Sequence, residues 1–300
     1  MRTLGTILDE NGGFGPGFDF ARIALAMGIL AFHSTVVTGD VQLVFKSAFW
    51  ILAYALVPMF FALSGFLITG SGLRLTLGQF LLNRGLRIIP ALAVEITISA
   101  IIIGLLFTQL SYFDYFTDYD FFEYFLNIVG YIQYDLPGVF LDLESAGIVN
   151  QSLWTVPYEI LCYIAMSFII ILGLLNKPRV LLALTAVFVC LPIIVDAFSL
   201  REEIGRLGVS LLFGRGSSSF QCFLAGSLVY LYRHQIPANP VIFGGAVAAL
   251  VAVGFFGELE WRQTGELNLV LCPLMTYVII YVGLSKIPAV PLYSRGDYSY

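Results

Sequence analysis

The sequence predicts an all-α, polytopic integral membrane protein. Two observations carry that prediction. Of the 300 residues, 59% are hydrophobic and only 12% are charged, with a mean hydropathy of +0.89. That charged fraction is about half of what a soluble domain carries. The apolar residues also gather into runs of roughly bilayer length, broken by turn-forming or polar residues. The runs are 18–38, 47–69, 88–110, 153–175, 179–198, 217–232, 240–257 and 266–285. Residues from Pro288 onward lead toward a further span, and the chain stops at Tyr300 before it forms. The expectation is therefore a bundle of about eight to nine transmembrane helices. No internal repeat and no soluble domain is evident.

Met1–Gly17 lacks the basic stretch followed by an apolar one that marks a cleavable signal peptide, so the first span is expected to start insertion. That span, Phe18 to Thr38, carries Asp19, Arg22 and His33. Arg22 and His33 are eleven positions apart, close to three whole turns, and so share one helix face about 16 Å apart. A charge within a span is costly and marks a functional site by default. A histidine titrates near neutrality and can take a proton from a hydroxyl. An arginine stays charged and can hold phosphate or an oxyanion. The bland alternative is an arginine snorkelling to the headgroups and a histidine hydrogen-bonded between helices.

The second span contains Phe60–Leu67 with Ser64 and Gly65, small residues that allow close helix packing. Between the second and third spans, Arg84 and Arg87 stand at i, i+3 on one side of a helical turn. They suit either a cytoplasmic anchor or a clamp for phosphates. The third span carries Glu95. Residues 111–151 form an acidic, aromatic segment with no Lys or Arg, a composition that suits sugars or an interfacial amphipathic helix. The fourth span opens with Trp154, Tyr158 and Glu159. The aromatic pair could be an interfacial belt, but a lone carboxylate needs a cavity or a partner. The four cysteines are isolated in apolar runs, and with two histidines no metal site is expected.

Lys and Arg follow the even-numbered spans at Arg74, Arg84, Arg87, Lys177, Arg179, Arg233, Lys286 and Arg295. The positive-inside rule thus places the N-terminus in the cytoplasm. Residues 199–216 fit poorly, because Arg201, Arg206 and Arg215 fall on the outer side; they either bind something or mark a re-entrant piece near 207–213. On this topology Arg22 and Glu95 lie toward the cytoplasm, while His33 and Glu159 lie in the outer half. The expected cross-helix pairs are Arg22 with Glu95 and His33 with Glu159.

The order of motifs resembles the membrane-bound acyltransferase family 3, the O-acetylases of cell-surface and exported glycans. The pieces are Phe18–Arg22 with His33, FFALSGFLI at 60–68, RGLRIIP at 84–90, SLWTVPYEILCY at 152–163 and GDYSY at 296–300. The wording of the fourth span is most similar to bacterial polysaccharide and lipo-oligosaccharide O-acetylases. The resemblance implies a single acyltransferase domain over 1–300, with about ten spans in the family and the last helix absent here. It implies acetyl-CoA, or another acyl-CoA, as cytoplasmic co-substrate, no metal, and a glycan acceptor at the extracytoplasmic face. No nucleic-acid partner is expected, and the location implied is the bacterial inner membrane. The resemblance makes Arg22 and His33 the essential pair and ties Arg84 and Arg87 to donor binding. His33 is then expected as general base or transient acyl carrier, with Glu159 orienting it. Asp19, Glu95, Trp154, Tyr158, Ser64 and Tyr298 are expected in support. The competing expectation is a proton-coupled transporter or flippase of a glycan or small polar substrate, since carriers also place ionisable groups within spans.

Overall fold

A computed structural model describes residues 2–38, 41–142, 147–205, 212–256 and 264–287. Tyr298, Glu144, Arg206 and most of 207–213 lie outside the described residues. Those described are helical apart from turns and a few isolated bridges. In chain order the helices are α1 (Leu4–Glu10), α2 (Phe18–Val37), α3 (Val41–Phe45), α4 (Trp50–Arg74), α5 (Leu77–Ile98), α6 (Gly104–Phe107), α7 (Tyr112–Thr117), α8 (Tyr119–Tyr124), α9 (Val156–Ile171), α10 (Pro178–Ala197), α11 (Arg215–Leu231), α12 (Pro240–Phe256) and α13 (Thr264–Leu284).

All eight apolar runs are helical. Among the described residues, six helices are long and apolar enough to cross a membrane. In α11 and α12, at 17 residues each, the helix is about 26 Å long, somewhat under the hydrocarbon thickness. The protein is thus an all-α, multi-pass membrane protein. The third span departs most from expectation. Helix begins at Leu77 rather than near 88, because Thr76 and Gln79 form a reciprocal capping box. It runs on through a widened π turn, Ser99–Ile103, into α6, giving a span of 31 residues. Arg84 and Arg87 therefore sit inside a helix and not in a loop.

The described residues form two compact units, one within Met1–Leu75 and Phe168–Ser299, the other within Thr76–Ser167. In the first, α4 and α11 run parallel with their backbones touching. A Cβ added at Gly65 would lie 2.0 Å from the Phe223 carbonyl oxygen, and one at Gly226 would lie 2.0 Å from that of Ala62. Lipid tails are as apolar as leucine, so close van der Waals packing of this kind is what joins helices in a bilayer. Leu63, Phe66, Leu271, Met275 and Ile280 fill the core between α4 and α13. The segment before α2 is also built in. The Leu4 and Gly5 amides donate to the Ile236 and Arg233 carbonyls, and the Ala238 amide donates to that of Arg2.

In the second unit, α7, α8 and a 3-10 turn (Phe125–Val129) pack over the end of α5. The π turn leaves the Ala100 carbonyl open to the Tyr115 hydroxyl, which donates to it at 2.7 Å. Gly104 makes the room, since a Cβ there would fall 1.8 Å from that hydroxyl. The first part of the acidic, aromatic segment thus packs as a cap of short helices on the end of α5. Burial pushes the Tyr115 hydroxyl up to about 12.

Candidate active site

In the first unit, α2 turns one face inward. Phe18, Ala21, Arg22 and Leu25 are buried, and Ile29, Phe32 and His33 continue the face half-buried. Arg22 is only 8% exposed and donates to Asp19 Oδ1 at 3.4 Å, one turn back. Phe18 fixes the register. Its ring packs at a tilt on Phe66 with centroids 5.7 Å apart and fills a notch at Gly283, while Gly28 faces Leu56. Thus α2 runs antiparallel to α4 and α13. Counting along each pair puts His33 level with Ile51 and Asn268, within about a turn.

That level holds a buried polar ring that the sequence reading missed. The Tyr54 hydroxyl donates to Asn268 Oδ1, Asn268 Nδ2 donates to Ser218 Oγ at 2.9 Å, and Tyr54 Oη lies 2.9 Å from Ser218 Oγ. All three residues are less than 9% exposed. The only cue in the sequence was SSSFQ at 217–221, polar residues opening an otherwise apolar span.

In the second unit, α5 and α9 bring Arg84, Tyr163 and Glu159 together. The Tyr163 hydroxyl donates to Glu159 Oε1 at 2.5 Å, and Arg84 donates to Tyr163. Arg84 is 4% exposed, with its guanidinium 5.9 Å from the Phe80 ring centre and a buried Nε that has no described partner. Arg87 is half-buried and interacts electrostatically with Arg84 and Tyr163. Arg84, Arg87 and Glu159, expected at separate sites, thus belong to one cluster. Tyr163 was missed, although its i+4 spacing from Glu159 on one helix was legible.

Glu95 lies past the middle of the 31-residue span that α5 opens. There its Oε1 receives Asn150 Nδ2 at 2.8 Å and Ser99 Oγ at 3.0 Å. Asn150 precedes α9, so Glu95 belongs at the end of α5 where the cap sits. Within their own units, Arg22 donates to Asp19 and Glu159 accepts from Tyr163. Trp154 and Tyr158 are half-buried with ring centroids 5.9 Å apart. Ser64 is half-buried beside Gly65, the residue that makes the close approach to α11. Arg201, the poor fit to the charge rule, is bound by both oxygens of Asp196 and lies 4.2 Å from the centre of the Phe213 ring. No group of three His, Cys, Asp or Glu among the described residues is placed to hold a metal.

Comparison with known proteins bears on this arrangement. A family model described as an acyltransferase domain, of the acyltransferase 3 type, matches residues 16–300. An O-acetyl transferase of Shigella phage Sf6 is 30% identical over 253 residues, covering 82% of this chain and 72% of that protein. No solved structure matches.

Proposed function

Because this chain belongs to the acyltransferase 3 family, we propose that it moves an acetyl group from cytoplasmic acetyl-CoA to a hydroxyl of a cell-surface or exported glycan. That it is a membrane O-acyltransferase follows from the family and the spans; the donor, the acceptor and the residue roles are the proposal. The observation that carries it is Arg22, buried on the inward face of α2 with His33 eleven positions along the same face. A buried guanidinium in a membrane span is costly unless it serves a charge.

His33 takes the proton of the acceptor hydroxyl as its oxygen attacks the thioester carbonyl. Arg22, three turns along the same face, steadies the negative charge that develops on the donor as its thiolate departs. The tetrahedral intermediate collapses, the carbon–sulfur bond breaks, and the departing CoA thiolate takes the proton from His33. In the two-step variant His33 attacks the thioester first and carries the acetyl group to the hydroxyl. Within the second unit, Arg84 and Arg87 are assigned to the phosphates of the donor, with Arg84 aimed by Tyr163 and Glu159. The positive-inside distribution supports a cytoplasmic N-terminus, in a bacterial inner membrane.

The test uses purified protein in nanodiscs with labelled acetyl-CoA and the surface glycan of its host. His33→Ala is expected to lower transfer by about 10² to 10⁴, the usual contribution of a general base. Full transfer by His33→Ala overturns the assignment. Acid quenching in mid-turnover separates the routes, because only the two-step variant leaves label on the protein.

A further inference from the structure

The cap end of α5 brings a buried carboxylate oxygen, Glu95 Oε2, close to the Tyr124 hydroxyl. Glu95 Oε2 and the Tyr124 hydroxyl are buried and make no hydrogen bond of normal geometry. Tyr124 is fully buried and lies beside Ser99 and Glu95. The other Glu95 oxygen is fixed by Asn150 and Ser99, so the carboxylate has one oxygen anchored and one offered. Burial pushes the Tyr124 hydroxyl up to about 12, so it stands as a proton donor. The π turn begins at Ser99, and such widened turns occur frequently at functional sites. Half-buried aromatic rings adjoin the cluster. The Val149 amide donates to the Tyr134 carbonyl at 2.9 Å, which sets Tyr134 beside Asn150, and Tyr158 lies near Tyr134 and against Trp154.

We propose that Glu95, Asn150 and Tyr124 form the acceptor subsite and bind a neutral pyranose, with Tyr134, Trp154 and Tyr158 against its C–H face. Glu95 accepts from one sugar hydroxyl, and Tyr124 donates to a neighbouring oxygen. A carboxylate here, with no Lys or Arg in 111–151, disfavours anionic sugars. The subsite rests on the O-acetyltransferase reading above.

Saturation-transfer NMR on the full chain in nanodiscs tests it, with methyl hexopyranosides and a methyl hexuronate as probes. Wild type and His33→Ala are expected to transfer saturation to the neutral glycosides and not to the uronate. Glu95→Gln and Tyr124→Phe are expected to weaken that binding at least about tenfold. Tyr124→Phe is informative even where Glu95→Gln folds poorly, because it keeps the buried ring and the Glu95 contacts with Asn150 and Ser99. No transfer from wild type to any neutral glycoside overturns the subsite, as does an equal signal from both variants. A changed melting temperature with unchanged sugar signal also overturns it and leaves the cluster as an anchor for the cap. If sugar binding holds while wild type transfers no acetyl from acetyl-CoA, the catalytic reading fails and the subsite stands.

Discussion

Tyr163 follows Glu159 by one turn of α9, donates its hydroxyl to Glu159 Oε1, and accepts a hydrogen bond from Arg84. One phenol thus links a buried cation on α5 to a carboxylate on α9. The chain Arg84 to Tyr163 to Glu159 gives the guanidinium a fixed direction, as recognition of phosphate by a planar fork requires.

Tyr163→Phe breaks both bonds while keeping the ring. Arg84 then loses its aim, and a charge-assisted hydrogen bond is worth about 1.5–3 kcal/mol. The expected result is a KM for acetyl-CoA raised about tenfold or more, with the acceptor KM unchanged. Steady-state kinetics at saturating glycan check it. A fall in kcat with no change in the acetyl-CoA KM would instead place the chain at the chemical step.

Arg22 is expected to tolerate lysine poorly. The buried guanidinium presents a planar set of donors, whereas an ammonium offers a point charge on a different geometry. Arg22→Lys should keep the fold and lower kcat by roughly 10- to 100-fold, about 1.4–2.7 kcal/mol of transition-state stabilisation. Asp19 is different, because its side chain is 45% exposed. Asp19→Asn should change the rate by less than about fivefold, as befits a partly solvated pair worth up to about 1 kcal/mol. Both variants can be read in one acetyl-transfer assay.

Hydropathy located the helices because each buries or greases a whole segment, and the ends of α2, α10, α12 and α13 lie within about two residues of the apolar runs. Charge misled at α5. Arg84 and Arg87 pulled the expected boundary outward, although the Thr76/Gln79 capping box was already legible as a helix start. Arg22 and His33 were legible because both lie on one helix, where spacing alone decides the face. Glu95 was not, because its partner Asn150 is 55 residues away and only the fold brings them together. The Tyr115 contact at the π turn is likewise invisible in sequence, because it joins residues of separate helices, with Gly104 leaving room for the hydroxyl.

Gly65 supplies a sharp test of the α4–α11 contact. A methyl group there meets a backbone carbonyl oxygen at 2.0 Å, an atom that cannot swing away as a flexible side chain could. Gly65→Ala should force the helices apart and cost the usual 1–3 kcal/mol or so of overpacking. Gly78, in the first turn of α5, is the matched control, with nothing within 4 Å of its added Cβ. Gly78→Ala should be neutral or raise stability by up to about 1 kcal/mol through helix propensity. Thermal unfolding of the two variants in the same detergent decides it.

The Tyr54–Asn268–Ser218 ring joins α4, α11 and α13 at the level of His33. A buried ring of neutral groups stabilises only when every member is satisfied, and a half-satisfied ring is worse than an apolar one. Tyr54→Phe removes the donor to Asn268 Oδ1 and leaves that oxygen buried, so about 1–3 kcal/mol of stability should be lost. Adding Asn268→Leu removes the stranded amide, and Ser218 can then turn its hydroxyl to a backbone carbonyl one turn back. The double variant should therefore be less destabilised than the two single variants summed, with a coupling of roughly 0.5–3 kcal/mol. Denaturant unfolding of all four proteins completes the cycle. Strict additivity would show that the three groups act separately, and that the seam beside His33 is held by apolar packing alone.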